Sequence, residues 1–331
     1  MGKKDTCEKE YIAGNEVFAD IVNVMIFHGR QVVHPENLQE MDSTEVYTEM
    51  VGDELLNEQK YRDALKNVII KNDGKLRYML VGIENQTAVS YIMAARVMLY
   101  DAINYMSQAE QILKRHQRED GFSMDDCVSG IRKGDTLTPI ITIVVHFGTK
   151  KWDAPRNLRG LFPDDLPEEV LEMASDYKIC VLSPEDIENP GTFKTSMGKI
   201  IRTLSACDSK NKKELRDMIS NDPDFQSIDR KAATIINEVT GIGLKIPENQ
   251  EEVNMCEAVR EWKEELLETG KAEGKAEGKA EGRAEGRSEY IARLKLLSQK
   301  MQAAGADMSE YIEATTDENI LEKLCGKYGI S

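Results

Sequence analysis

The chain has 331 residues, with 43 basic and 59 acidic side chains and a net charge of −16. A hydrophobic content of 40% supports a packed core and 31% charged residues a wet surface, which excludes disorder throughout. No stretch approaches the apolar length of a membrane span, and the N-terminal Met-Gly-Lys-Lys-Asp lacks an apolar signal segment; a cytoplasmic protein with no membrane partner is expected.

Between residues 15 and 29, Val17, Phe18, Ile21, Val22, Met25 and Ile26 have the spacing of a buried helical face, with Asn15 as N-cap and Gly29 just past the end. Residues 35–59 are acidic and weakly patterned, and read as a short helix with loops. Two β-like runs, 61–70 and 76–83, flank Asn72-Asp73-Gly74 and predict a hairpin whose two loop residues are Asp73 and Gly74. Pairing Asn72 with Lys75 carries Asp63 opposite Glu84. From Val89 to Lys114 the spacing is helical. Residues 137–148 (LTPIITIVVHFG) form a β-branched apolar run suited to a central strand, and 176–182 a second, shorter strand. This order of elements is α/β or α+β.

Beyond residue 190 the pattern is helical, near 193–206, 209–219, 228–239 and 249–269. Gly270 to Arg287 then repeats Gly-Lys/Arg-Ala-Glu. Each glycine costs a helix about 1 kcal/mol relative to alanine. With no apolar side chain larger than alanine, the tract reads as a solvated spacer, marginally helical or disordered. Residues 288–328 predict two or three short helices.

Several chemistries are excluded by what the chain lacks. Its six cysteines contain no Cys-x-x-Cys pair and its four histidines no metal-ligand spacing. There is no Gly-x-Ser-x-Gly elbow and no phosphate-binding Gly-x-x-x-x-Gly-Lys-Ser/Thr loop. Carboxylates must therefore carry any catalysis. Asp63 and Glu84, directly opposite on the hairpin, would stand about 5 Å apart at Cβ and repel each other. That repulsion calls for a cation, and predicts that removing one carboxylate stabilises the metal-free chain. Gln86 shares the face of Glu84 by strand alternation. Mg²⁺, or Mn²⁺ in its place, suits such a pair, with waters and phosphate oxygens completing the shell.

The layout Asp-(x)n-Glu-x-Gln on a hairpin resembles the PD-(D/E)XK phosphodiesterase superfamily. It is more closely similar to the Rpn family of recombination-promoting nucleases, often labelled putative transposases. The resemblance rests on Arg62-Asp63, Gly82-Ile83-Glu84-Asn85-Gln86, Arg96-x-Met98-x-Tyr100-Asp101, Tyr105-x-x-Gln108, Leu137-x-Pro139, Trp152-Asp153-x-Pro155 and the Gly-Lys-Ala-Glu tract. It implies a restriction-endonuclease-like α/β core, a central mixed sheet flanked by helices, followed by a helical C-terminal region. The implied division is a nuclease-like core at 1–190, a helical region at 191–269, a linker at 270–287 and a small helical tail at 288–331. The implied activity is that of a Mg²⁺- or Mn²⁺-dependent DNA endonuclease. Asp63 and Glu84 are its metal ligands and, with Gln86, its catalytic residues. The alternative is a catalytically weakened DNA-binding or toxin- or defence-related relative.

Gln86 stands where the superfamily usually has lysine, and supplies no positive charge. The superfamily often adds an acidic residue from the first helix, for which Glu16 and Asp20 are the candidates. His146, within an apolar strand, reads as a core histidine, and Trp152-Asp153-x-Pro155 as a packed turn. DNA, as partner, would meet two basic clusters: one from Lys194 to Arg216, the other Lys150, Lys151, Arg156 and Arg159. Self-association is left open.

Overall fold

The structure, a computed structural model, describes residues 3–41, 44–51, 54–61, 63–72, 75–118, 131–207, 209–307 and 309–330. Arg62, the Asp73-Gly74 loop and Asp208 lie outside the described residues. The chain divides into two compact units, Met1–Arg260 and Glu261–Ser331.

The first unit is α/β. It opens with helices α1 (Lys3–Ala13) and α2 (Asn15–Met25), followed by β1 (Leu38–Glu40) and the antiparallel pair β2 (Thr44–Val51) and β3 (Glu54–Tyr61). Next come β4 (Ala64–Asn72), β5 (Lys75–Gln86), α3 (Met93–His116), β6 (Ile140–His146), α4 (Glu168–Met173) and β7 (Cys180–Leu182). Strands β1, β4, β5, β6 and β7 form one mixed sheet in that spatial order. The β1–β4 and β4–β5 pairs are antiparallel, whereas β5–β6 and β6–β7 are parallel. Parallel neighbours need a crossover, and α3 supplies it between β5 and β6.

The hairpin has the expected register, Asn72 facing Lys75 and Ala64 facing Ile83. The 35–59 region differs from expectation: its described residues hold strands β1, β2 and β3 and a 3-10 turn at Pro35–Asn37. Gly52-Asp53, between the residues that Val51 and Glu54 bring into register, is a two-residue hairpin signal outweighed by the acidic composition. Helix α1 was likewise unanticipated. Helix α2 begins at Asn15 with Gly14 as its cap, and Gly29 takes φ +82° in the turn that follows.

Alternation along the strands divides the core. Leu65, Leu80 and Ile140 face α3 through Tyr105, while Val144 and Val181 pack with Met93, Ala94 and Val97 of α3. The intervening Val68, Val81, Ile83, Ile143 and Val145 are fully buried, each stabilising the fold by roughly 1.5–3 kcal/mol relative to exposure. Lys66 shares their face, and its ammonium is buried at the junction of α1 and α2. It donates to the carbonyl of Ala13 (2.6 Å) and to the side chain of Asn15, and lies 5.3 Å from the Phe18 ring centroid.

Helix α3 is stitched to β6 by three polar residues. Gln108 exchanges two hydrogen bonds with the main chain of Thr138, the Tyr105 hydroxyl accepts from the N–H of Ile140, and Asp101 accepts from the Thr142 hydroxyl at 2.8 Å. Residues three or four apart share one face of a helix and residues two apart share one face of a strand, so Asp101, Tyr105 and Gln108 all look toward the same side of this segment. Asp101 also accepts from the Tyr177 hydroxyl.

The remainder of this unit is α5 (Met197–Ala206), α6 (Lys212–Asn221), α7 (Arg230–Thr240) and the start of α8 (Met255–Ala303), with a two-residue pairing of β8 (Ile228–Asp229) and β9 (Glu252–Val253). Helix α7 packs against α1. Among the described residues no helix is long and apolar enough to cross a membrane.

In the second unit, Leu297 and Met301 of α8 pack with residues of α9 (Ser309–Ala314) and α10 (Glu318–Lys327), among them Ala314, Leu321 and Leu324. The repeat tract is helical and exposed along its length. A Cβ on Gly274, Gly278 or Gly282 would meet nothing within 4 Å. Replacing these three glycines together with alanine is therefore expected to stabilise the helix by up to about 1 kcal/mol per site. Far-UV circular dichroism should show greater helicity on heating; unchanged melting of the helical signal would contradict the helical assignment of the tract.

Candidate active site

The antiparallel ladder of β4 and β5 ends at Ala64 and Ile83, and Asp63 lies one residue beyond. Its carboxylate Oδ2 accepts the main-chain N–H of Asn85 at 2.7 Å, closing the ladder with a side chain in place of a carbonyl. The other oxygen, Oδ1, lies 2.9 Å from the ammonium of Lys9 on α1. Glu84 is 6% exposed. Its Oε1 accepts from Gln86 Nε2 at 3.4 Å and lies 3.9 Å from an Arg96 guanidinium nitrogen on α3. Asp63 thus reaches the residue next to Glu84, and Gln86 touches Glu84 itself. Each carboxylate has a basic side chain beside it.

Asn85 points to the opposite face, as alternation requires, and meets α1. Its amide donates to Glu8 Oε2 at 2.7 Å, and the Thr87 hydroxyl donates to the same oxygen at 3.1 Å. Glu8 is fully buried. Neither Glu8 nor Lys9 emerged from the sequence, because the charge-rich Lys-Lys-Asp-Thr-Cys-Glu-Lys-Glu shows little amphipathic contrast. The only local signal is Cys7 and Glu8 standing four residues before the buried Tyr11 and Ile12.

The first-helix candidates Glu16 and Asp20 both lie on α2. Glu16 is exposed, and Asp20 Oδ2 accepts the N–H groups of Lys194 and Thr195 (both 2.8 Å) and the Thr195 hydroxyl (2.7 Å). Through Oδ2 Asp20 holds that turn, and it forms no three-carboxylate group with Asp63 and Glu84. Among the described residues no three His, Cys, Asp or Glu side chains gather into a group able to hold a metal ion.

Beyond the ends of β5 and β6, His146 joins the two strands to the next turn. It is fully buried, with Nδ1 3.1 Å from the Gln86 carbonyl and Nε2 2.7 Å from that of Lys150. Its ring meets the buried Trp152 edge-on at 5.3 Å, so Trp152 is a core residue rather than a stacking platform. Glu185 accepts the N–H of Trp152 at 2.6 Å. Burial alone would raise its carboxyl, but the Ser183 hydroxyl and main-chain N–H groups outweigh burial and hold it below the usual range. A cavity of about 530 Å³ opens here, lined by Thr87, Tyr91, Gly148, Lys150, Lys151 and Asp153 among others. Two larger clefts lie elsewhere, beside Tyr11 and Lys194 and between β4–β5 and α3.

In the longer basic cluster three side chains are drawn into internal contacts, while Lys194, Lys210, Lys212 and Lys213 are exposed. Lys199 donates to the Ser227 carbonyl at 2.7 Å, Arg202 pairs with Asp222 (2.8 Å) and Asp224 (3.3 Å), and Arg216 donates to the Ile242 carbonyl. In the second cluster Arg156 pairs with Asp186 and Arg159 donates to the Leu171 carbonyl. Lys150 and Lys151 are exposed at the cavity.

Comparison with known protein families, with curated proteins and with solved structures finds no match to this chain.

Two stability changes follow from this geometry. The sequence alone predicted that removing Asp63 relieves repulsion. With Lys9 and the Asn85 N–H both held by Asp63, Asp63→Ala is expected to destabilise the metal-free protein by about 1–3 kcal/mol. Urea unfolding checks this; a midpoint at or above wild type would restore the repulsion argument. Gly148 is packed so closely that a Cβ would lie 2.4 Å from both His146 Cε1 and the Thr87 carbonyl oxygen. Gly148→Ala should therefore cost about 1–3 kcal/mol, read as a lowered Tm.

Proposed function

We propose that this chain is a metal-dependent DNA endonuclease that hydrolyses phosphodiester bonds, of the recombination-promoting nuclease and transposase type within the PD-(D/E)XK superfamily. The observation that carries the reading is the approach of Asp63 to Asn85 at the end of the hairpin, with Gln86 on Glu84. The mixed sheet, antiparallel at β4–β5 and parallel from β5 to β7 with α3 crossing between, supports a restriction-endonuclease-like core.

The donor chemistry fits Mg²⁺ or Mn²⁺. Two carboxylates are the usual protein share of such a site, the rest being water and phosphate oxygens. Asp63 already carries a cationic partner in Lys9, which an ion bound at that oxygen would have to displace. Asp63 and Glu84 would hold the ion, which when bound supplies a Lewis acid for the water and the phosphate.

The chain's own groups then divide the remaining work. Gln86, bonded to Glu84, orients a water through its amide. Arg96, beside Glu84, meets phosphate charge with its guanidinium. Lys150 and Lys151 give the DNA backbone a local basic contact on an otherwise acidic protein. One observation favours a second reading, a DNA-binding or toxin- or defence-related relative with weakened catalysis: a neutral Gln86 where the superfamily has lysine.

Plasmid nicking by the full chain in Mg²⁺ or Mn²⁺ tests the proposal. Wild type is expected to cleave, Glu84→Gln and Asp63→Asn to be inactive, and Gln86→Lys to retain activity. Gln86→Leu, which removes both donor and acceptor, should lose roughly 100-fold. DNA binding without cleavage would favour the second reading. Cleavage unaffected in both carboxylate variants would overturn the site.

A further inference from the structure

We infer that Lys9 is a displaceable cation, seated on Asp63 in the resting protein and competing with a divalent ion for that carboxylate. This rests on Asp63 being a metal ligand as proposed above. The two oxygens of Asp63 are held differently. Oδ2 accepts the main-chain N–H of Asn85 at 2.7 Å, a donor whose place is set by the strand. Oδ1 is held by the Lys9 ammonium at 2.9 Å, at the end of a flexible stem whose side chain is 29% exposed. An ion coordinated at Oδ1 meets like charge at contact distance, so Lys9 must withdraw before it binds.

The neighbourhood permits that withdrawal without disturbing the helix. Glu8, next to Lys9, accepts from Asn85 and Thr87 and anchors this turn of α1 to the end of β5. The main chain stays in place while the Lys9 stem swings. Arg96 differs, standing 3.9 Å from Glu84. Lys9 therefore serves two states. With no metal it neutralises Asp63 and spares the sheet end two opposed carboxylates. Once displaced, the ammonium remains within a side-chain length of Asp63 and supplies the positive charge that Gln86 lacks.

The test is Mn²⁺ binding to the full-length chain without DNA, by calorimetry or by loss of the free-ion EPR signal. Lys9→Met keeps the aliphatic stem and removes the charge, and Lys9→Gln is the second variant should Met fold poorly. Either is expected to bind Mn²⁺ about tenfold more tightly or better, with a lower Tm in the absence of metal. Lys9→Arg, which keeps the charge, should bind no more tightly than wild type. Asp63→Asn distinguishes the two ways of failing. If wild-type binding depends on Asp63 but the neutral Lys9 variants bind no more tightly, Lys9 does not compete and the metal site stands. If Mn²⁺ binding is absent or indifferent to Asp63→Asn in every variant, the metal-site reading fails and the role of Lys9 fails with it.

Discussion

The structure depends on β5 being paired on both sides, antiparallel to β4 and parallel to β6. A strand with two neighbours cannot slip by one residue without turning every side chain to the other face. The apolar run of β6 and the buried Val81 and Ile83 of β5 make such a slip costly. Glu84 and Gln86 are consequently held on the face of α3, and Asn85 on the face of α1. The polar end of β5 inherits its geometry from the apolar middle.

That end concentrates charge, and Asp63 and Glu84 each have a basic side chain beside them. Lys9 comes from α1 on one side of the sheet and Arg96 from α3 on the other. The contacts are unequal. Asp63, tied to a main-chain N–H as well as to Lys9, contributes to the integrity of the ladder; Glu84 meets the Gln86 amide and the Arg96 guanidinium. A group that closes a strand pair and also offers an oxygen to a ligand has two roles, so loss of function on its removal needs a separate measure of folding.

Three of the basic side chains between Lys194 and Arg216 serve the fold itself. Lys199, Arg202 and Arg216 hold loops through carbonyls and carboxylates, and Arg202 also lies 5.0 Å from the Phe225 ring. The shorter pair Lys150 and Lys151 follows β6 directly and borders the cavity beyond the strand ends. Their position is set by His146 and Gly148, which pack the turn against Gln86 and Thr87.

The sequence by itself determined the elements whose physics is local. The Asp-Gly signal between Asn72 and Lys75 announced the hairpin register, the 137–148 run a buried strand, and the spacing from Val89 onward α3. Alternation then placed Glu84 with Gln86. Only the tertiary structure decided what surrounds them. Glu8 and Lys9 reach their partners across more than fifty residues, on a helix without clear amphipathic contrast. Asp20 was drawn away from the site to a turn 174 residues further along the chain. Periodicity reports which face of an element is buried, because that is repeated every turn or every second residue. A single polar contact between distant segments leaves no such repeat, and exists only once the core has packed and brought the two ends together.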